Sequence, residues 1–377
     1  MNIQFRYANF DEYPRISQFL DEYWAKNHIY VRERPLFDWT FRRHGHLESQ
    51  AYSFTIAENG NDIVAILGGI PFTFNCLGRT SKAVWIVNYA VRPDHRRGPV
   101  ALQLLSTFRR PPFDEVIASG LNPESTIIYK VLRGTVLPEL PRHLGIFADA
   151  SDRMVNLLQL TYPEWDKKRA DSVAHNFVLP SGANEVVPHG TSIPNTWDDV
   201  DWPAIATQTV GAVRDSDYLR WRYLDHPSFE YRMLTVAEGD RNGLAVWRLE
   251  NIHHQTPEGR VPVDALARLV EFLPVSSDNG RHLMGALLKG VREAGAMGVD
   301  FYGYHGNART ILEQLGVRSV HTHPDGTLIP YRFQPLDTHG GGILNAMFAP
   351  EGLPPCTTGL DSAWYWTKSD SDQDRPN

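Results

Sequence analysis

Segments with strand-like and helix-like patterns alternate along this chain, and much of their order returns after about 180 residues. In both copies an antiparallel hairpin is followed by a strand, a helix, a strand and a helix. This alternation is typical of layered α/β and α+β folds and argues against all-helical and all-β architectures. The first copy is predicted at 3–7, 52–57, 63–74, 83–91, 100–108, 115–119 and 123–132, and the second at 231–237, 244–250, 266–273, 283–294, 300–304 and 308–315.

We therefore predict an α+β (mixed α/β) fold with two domains, which also agrees with a length of 377 residues. The N-terminal domain is predicted to span 1–155, a connector with its own helix 156–228, and the C-terminal domain 229–336. The remaining 337–377 form a C-terminal tail. Three consecutive glycines and a polar end at 369–377 predict that this tail is flexible.

Composition narrows the classes of partner. Hydrophobic residues make up 42% of the chain, enough for a sizeable core, and the net charge of -7 argues against non-specific binding to nucleic acid or to anionic membranes. Two cysteines cannot form a disulfide framework. Because we find neither a signal-peptide pattern nor an apolar run long enough to span a bilayer, we expect a soluble, cytoplasmic protein with no nucleic-acid or membrane partner.

The first candidate site follows the strand that ends at Val91. A basic turn with glycine, 92–99, leads directly into a helix. Free backbone N–H groups at such a helix start, together with the helix dipole, favour phosphate oxygens. Arg96 and Arg97 add positive charge. The same short turn also occurs in proteins that bind no phosphate.

The second candidate site is the helix that follows the next strand. Asn122 is a favoured N-cap residue and Pro123 occupies the favoured first position. Ser125 and Tyr129 are four residues apart and therefore share one helix face. A phenol on that face suits proton transfer to a ligand held by the preceding loop. The alternative is that Tyr129 is a core residue with its hydroxyl in water.

These two motifs together resemble the GNAT acyltransferase superfamily. Its pyrophosphate loop reads Gln/Arg-x-x-Gly-x-Gly/Ala after a strand ending in Val-x-Pro, and Val91, Pro93, Arg96 and Ala101 match it, whereas Pro99 replaces the central glycine. The family's Asn-x-x-Ala-x-x-x-Tyr motif matches 122–129, with serine for alanine. The resemblance implies two tandem GNAT-like domains, each a twisted mixed sheet flanked by helices. It also implies a site for acetyl-CoA or another short acyl-CoA, without a metal, formed by Val91, Arg96, Arg97, Gly98, Val100, Ala101, Asn122 and Ser125.

The second copy resembles the same fold with degenerate motifs. The turn at 276–285 lacks the family pattern, and Leu312 stands where the motif has its tyrosine. We therefore expect acyl-CoA in the first domain and acceptor binding or a scaffold role in the second. Glu271 is a candidate base there, the alternative being a solvated glutamate on a strand.

The resemblance also implies a mechanism. The tyrosine, here Tyr129, commonly protonates the departing CoA thiolate, and a backbone N–H near Asn88 to Val91 stabilises the oxyanion. Because 83–91 carries no carboxylate, we expect direct attack by an amine with deprotonation through water. His95, Asp94 and His143 are weaker candidates for the base.

The double arrangement is similar to the nucleotide-sugar N-acyltransferases of surface-polysaccharide pathways. It implies transfer of an acetyl or short hydroxyacyl group to the amine of a dTDP-linked deoxyamino sugar. Arg220, Trp221 and Arg222 are candidates for binding this acceptor, the alternative being the packed and solvated sides of one helix. Two further functions stay open: N-acylation of a peptide, an amino acid or an antibiotic amine, and a non-catalytic acyl-CoA-binding regulator. The histidine pairs 44/46, 253/254 and 321/323 lack the surroundings of a zinc site, and the oligomeric state is left open.

Overall fold

The two predicted copies are present, and the boundaries of their elements differ from the predictions mostly by a few residues at each end. The computed structural model describes residues 3–42, 50–180, 191–192, 202–239, 241–334, 336–338, 342–349, 353–354, 356 and 363–375. The strands of these residues are β1 Ile3–Asn9, β2 Ala51–Asn59, β3 Asp62–Cys76, β4 Arg79–Val91, β5 Glu115–Leu121, β6 Thr135–Leu137, β7 Arg142–Ile146, β8 Thr191–Ser192, β9 Val210–Ala212, β10 Arg232–Glu238, β11 Arg241–Thr256, β12 Gly259–Leu273, β13 Gly298–Tyr304, β14 Arg318–Ser319, β15 Arg332–Phe333, β16 Leu336–Asp337, β17 Leu344–Phe348 and β18 Trp364–Thr367.

Helices connect these strands. Two π-helical turns, Leu20–Trp24 and Arg220–Leu224, and a 3₁₀ turn at Pro93–His95 supplement them. The α-helices of the described residues are α1 Tyr13–Phe19, α2 Ile29–Arg32, α3 Arg34–Phe41, α4 Val100–Phe108, α5 Pro123–Val131, α6 Ser151–Thr161, α7 Lys167–His175, α8 Trp202–Ala206, α9 Ser216–Leu219, α10 Ser277–Glu293 and α11 Gly306–Gln314.

The two halves have the same sheet topology. In the first half β1 to β4 are antiparallel neighbours and β5 runs parallel to β4. In the second half β10 to β12 are antiparallel and β13 runs parallel to β12. The predicted mixed α/β class is therefore confirmed, and β9 and β18 join the strands of the two halves into one continuous sheet.

The halves exchange strands. Strand β7 follows the first half in sequence, yet it pairs antiparallel with β13 of the second half. Conversely, β17 lies after the second half in sequence and pairs antiparallel with β5 of the first. Cutting the chain at 155 and 337 therefore does not separate the two parts of this sheet, which we call the first and the second sheet, although each part corresponds to one predicted copy.

The first sheet is covered on both faces, as alternation along β4 requires. Val84 and Ile86 belong to a core cluster with α4 and α5. Trp85 and Val87 point the other way, into a cluster that includes α1, α3 and parts of the second half. The helices of the second half, α6, α7, α10 and α11, contribute to a third cluster.

The prediction of a flexible C-terminal tail is wrong for residues 363–375, which we call the C-terminal segment. Its strand β18 pairs with β13 and β9, and Asp370 and Asp374 are buried. Asp370 pairs with Arg214 at 2.7 Å and Asp374 with Arg248 at 2.6 Å. The acidic residues of this segment therefore form buried ion pairs with arginines that are remote in the sequence. Composition alone does not reveal these pairs.

Candidate functional site

Strands β4 and β5 separate at their carboxyl ends. Their parallel pairing ends at Ile86 and Ala118, whereas β4 continues to Val91 and β5 to Leu121. On its other side β4 carries a bulge, where Asn88 and Tyr89 together oppose one residue of β3. The β4–β5 gap, lined by residues 87–91 and 119–121, is therefore an opening between the two faces of the sheet.

Asn88 breaks two local rules at this gap. Its φ is 51°, in the left-handed region that non-glycine residues rarely adopt. Its side chain is 5% exposed, and its Oδ1 accepts no hydrogen bond from the described residues. Backbone strain and an unpaired buried oxygen each cost about 1–3 kcal/mol, and such costs concentrate at functional sites.

The start of α4 offers backbone donors beside the gap. The N–H of Gln103 donates to the carbonyl of Pro99 at 2.9 Å, so the N–H groups of the preceding first-turn residues have no partner within the helix. Pro99 is the N-cap residue, and its missing N–H removes none of these first-turn donors. Arg96 and Arg97 are exposed next to them. This arrangement fits an anion such as a diphosphate.

Helix α5 places Tyr129 on the same face of the sheet. The predicted N-cap is confirmed, since Asn122 Oδ1 accepts the N–H of Ser125 at 2.7 Å. Tyr129 is 2% exposed, and its ring stacks on Phe348 with centroids 5.2 Å apart. Burial raises the pKa of Tyr129 well above its ordinary value, so the phenol keeps its proton at neutral pH.

Tyr89 is a site residue that the sequence analysis missed. It follows Asn88 in the bulge, and its hydroxyl donates to the carbonyl of Ala101 in the first turn of α4. Both Tyr89 and Tyr129 contribute to the cluster that joins α4 and α5 to the sheet. The position of Tyr89 within the predicted oxyanion segment was the available signal.

Gln373 reaches the gap from the C-terminal segment. Its Nε2 donates to the carbonyl of Ser119, the first residue of β5 beyond the paired region, at 3.2 Å. Gly120 has a φ of 75°, and a Cβ there would lie 2.5 Å from Gln373 Nε2. The positive φ favours glycine at this position, and a Cβ would require the end of the Gln373 side chain to move. The polar tail sequence gave no indication of this contact.

The three candidate bases do not come together at the gap. His95 Nε2 lies 3.3 Å from Arg92 and 3.7 Å from Asp94, within the turn before α4. His143 lies on β7, which pairs with strands of the second half. Burial lowers the pKa of His143 to about 4, so this imidazole is neutral at pH 7. A base role for His95 or Asp94 stays a prediction.

The alternative of a solvated Glu271 is wrong. Its side chain is completely buried and accepts hydrogen bonds from Arg214, Tyr223 and Tyr365. It lies beyond the last parallel pair of β12 and β13, where the C-terminal segment fills the corresponding separation of the second sheet. Burial raises the pKa of Glu271 despite the neighbouring arginine.

The residues predicted to bind the acceptor have mainly structural contacts. The ring of Trp221 stacks on Trp39 at a centroid distance of 5.0 Å. Arg222 is buried, and its Nη2 donates to the carbonyl of Asp374 at 3.4 Å. Arg220 is exposed. The packed alternative thus accounts for Trp221 and Arg222, and their role toward an acceptor stays a prediction.

The described residues include neither a candidate metal site nor a candidate membrane-spanning helix. In this part of the chain, no three His, Cys, Asp or Glu side chains form a group that could hold a metal ion. His44 and His46 lie outside the described residues. None of the described helices combines the length and apolar character needed to cross a bilayer.

Comparison with solved structures defines the class of fold. The GCN5-related N-acetyltransferase from Kribbella flavida is 14% identical, with a TM-score of 0.52 over 92% of this chain and 70% of that one. N-myristoyltransferase of Saccharomyces cerevisiae with bound myristoyl-CoA is 12% identical, with a TM-score of 0.53 over 92% and 82%. A probable N-acyltransferase of unknown function from Enterococcus faecalis V583 is 11% identical, with a TM-score of 0.51 over 80% and 65%.

These likenesses show that the chain has the fold of the GCN5-related N-acetyltransferases, as the sequence resemblance implied. At 11–14% identity they establish the fold. No family model matches the sequence, and no curated protein is significantly similar to it.

Proposed function

We propose that this protein is a CoA-dependent N-acyltransferase whose acyl-CoA site is the β4–β5 gap with the start of α4. The observation that carries the proposal is the bulge at Asn88, which lies in the gap next to the free N–H groups of α4. The residues present fit acyl-CoA, because neither Asn88 Oδ1 nor the first-turn N–H groups of α4 have a hydrogen-bond partner among the described residues. The acyl-CoA bound by the similar yeast N-myristoyltransferase supports this choice of donor.

Each group has a role in this reaction. Acyl-CoA supplies a thioester, whose carbonyl carbon forms the new bond with the acceptor amine while the C–S bond breaks. The first-turn N–H groups of α4, with Arg96 and Arg97, hold the diphosphate. Backbone N–H groups of the bulge at Asn88 and Tyr89 stabilise the developing oxyanion. Tyr129 gives its proton to the thiolate sulfur, the proton released by the amine passes to water, and water returns a proton to Tyr129 after the transfer.

The acceptor in this proposal is the amine of a dTDP-linked deoxyamino sugar. The similarity of the double arrangement to nucleotide-sugar N-acyltransferases supports it, and the acyl group is acetyl or a short hydroxyacyl. A peptide, an amino acid or an antibiotic amine is the alternative acceptor.

The direct test incubates the purified protein with acetyl-CoA and a panel of dTDP- and UDP-linked amino sugars. Release of free thiol and the mass of the product are followed. We expect an acyl mass gain on one sugar. Thiol release only with peptides or small amines would replace the sugar assignment, and failure to bind CoA would contradict the acyltransferase proposal itself.

A further inference from the structure

A strongly basic groove lies on the face of the first sheet opposite α4 and α5. Five of its lining residues are cationic, although the whole chain has a net charge of -7. The groove has a volume of about 780 Å³, and the described residues that line it include no Asp or Glu. We call it the basic groove; its lining includes Trp24, Lys26, Arg32, Arg260, Arg332 and Arg375.

Most of these cations are available to a ligand. Lys26, Arg32 and Arg332 are exposed, and none of the three forms an ion pair with the described carboxylates. Arg375 is paired with Asp372 at 2.8 Å. Lys26, Arg32 and Arg332 are like charges that repel one another, so a polyanion bound among them would be stabilised.

Two further side chains suit an aromatic ligand. Trp24 is 43% exposed at the groove, an uncommon exposure for an indole, and offers a flat face for stacking. His28 lies in the groove wall, where its Nδ1 accepts the N–H of Tyr30 and its buried Nε2 has no hydrogen-bond partner among the described residues. Burial lowers the pKa of His28 to about 3, so this imidazole in the groove wall is neutral at pH 7.

The basic groove shares two lining residues with a cavity whose wall contacts the β4–β5 gap. Arg332 and Arg375 line both the groove and a polar cavity of about 130 Å³, which we call the inner cavity. Gln373, whose amide contacts Ser119 at the gap, forms another part of the cavity wall. Groove, cavity and gap are thus linked through shared side chains.

Lys368 places an amine inside the inner cavity. Its Nζ lies 5.0 Å from the centroid of Tyr302. Arg268, Glu250, Asp374 and Asp300 are the charged groups that face it. The three carboxylates already form ion pairs with arginines. When Lys368 is protonated, its charge therefore has no carboxylate of this network left to balance it. Burial lowers the pKa of Lys368 to about 7.

We propose that the basic groove binds the nucleoside diphosphate part of the acceptor, while the inner cavity receives the attached amino-bearing group and directs it to the gap. This rests on the proposed function. A lone carboxylate, as in an amino acid, would leave most of the groove cations without a counter-charge, whereas a diphosphate attached to a base uses both the cations and Trp24. The diphosphate of CoA is assigned to the start of α4, on the opposite face.

The test measures binding by calorimetry with dTDP, UDP, inorganic pyrophosphate and CoA as separate probes. We expect Arg32→Gln/Arg332→Gln to weaken dTDP, UDP and pyrophosphate binding at least 10-fold while leaving CoA affinity unchanged. Trp24→Ala should weaken the nucleotides and leave pyrophosphate unaffected. The matched control is Arg318→Gln, an exposed arginine outside the groove.

Each of the following outcomes would contradict one part of the proposal. If neither nucleotide binds, or if binding ignores the groove variants, the acceptor assignment is wrong. If the groove variants weaken CoA instead, the groove belongs to the donor. If pyrophosphate binds and Trp24→Ala leaves the affinity for both nucleotides unchanged, the groove binds an inorganic anion and does not recognise a nucleoside. If the unaltered protein does not bind CoA, the proposed function is contradicted. The nucleotide measurements still decide, independently of CoA, whether the groove binds a nucleoside diphosphate.

Discussion

Tyr129 is the residue on which the proposed acid catalysis depends. Replacing it by Phe keeps the ring that stacks on Phe348 and removes only the proton donor. We expect kcat to fall roughly 10²-fold while the KM for acyl-CoA stays nearly constant, since general acids contribute about that much. Steady-state kinetics with the acceptor identified by the panel measures both. Tyr162→Phe, at a half-buried tyrosine stacked on Trp165, is the control; full turnover by Tyr129→Phe would exclude the acid role.

Asn88 should show a trade between stability and activity. Asn88→Gly relieves the left-handed backbone and removes the unpaired buried oxygen. We expect the free energy of unfolding to rise by about 1 kcal/mol while turnover falls. Leu77→Gly, at an exposed position with φ 52°, tests the backbone effect alone and should leave turnover unchanged. A loss of stability in Asn88→Gly, measured by urea unfolding, would show that the Asn88 side chain stabilises the bulge.

The sequence predicts the roles of residues that depend only on their neighbours in the chain. Asn122 caps its helix and α4 spans Val100–Phe108 as expected, because capping and helix starts depend on adjacent residues. Asn88 could be assigned to the oxyanion segment only through the family resemblance. The burial of Glu271 was not predictable, since its partner Arg214 is remote in sequence and a lone acidic residue is usually exposed.

At the level of elements, the contact between β5 and the C-terminal segment should depend on Gly120. Gly120→Ala introduces a Cβ that would lie 2.5 Å from Gln373 Nε2, at a φ of 75°. We expect a loss of at least about 1 kcal/mol in the free energy of unfolding. Amide hydrogen exchange should also become faster in residues 363–375, because Gln373 must leave Ser119.

Gly239→Ala separates these two effects. Gly239 has a similar φ of 65°, but a Cβ there meets nothing within 4 Å. It should therefore show the backbone cost with normal exchange in the C-terminal segment. Equal exchange in both variants would contradict the proposed anchoring of the segment by Gln373.

Local sequence patterns do not determine all of the strand pairing, because some pairs join segments that are remote in the sequence. The strand order of each copy follows from hairpins and short connections, and was predictable. The exchange of β7 and β17 joins residues that are 158 positions apart in one case and 226 in the other, and β17 has only five residues. The core clusters that span both halves make this exchange favourable through burial rather than through any sequence motif.

At the scale of the whole molecule, alternating ion pairs connect the C-terminal segment to the second sheet. Arg142, Asp300, Arg268, Glu250, Arg248 and Asp374 form this buried series. Burial alone would raise the pKa of Asp374, but Arg248 lowers it well below its usual range. The pKa of Glu250 is lowered in the same way by Arg268 and Arg248.

These lowered pKa values determine the sign of the pH dependence. A carboxylate whose folded pKa lies below its unfolded value stabilises the fold above about pH 4 and loses that contribution as the pH falls toward the folded value. The free energy of unfolding should therefore decrease steadily below pH 5. Asp374→Asn should cost about 3–5 kcal/mol at pH 7, because Arg248 loses a buried partner.

The difference in the free energy of unfolding between the two proteins should then narrow below pH 4, because Asp374 takes up a proton in the unfolded state of the unaltered protein and this favours unfolding. Urea unfolding at pH 7, 5, 4 and 3 measures this difference directly. Asp171→Asn, at an exposed aspartate on α7, should follow the unaltered protein throughout. Parallel curves for Asp374→Asn and the unaltered protein would mean that the charge of Asp374 does not hold the C-terminal segment in place. In that case its apolar strand β18, which contributes Trp364, Tyr365 and Trp366 to the core, would account for the anchoring.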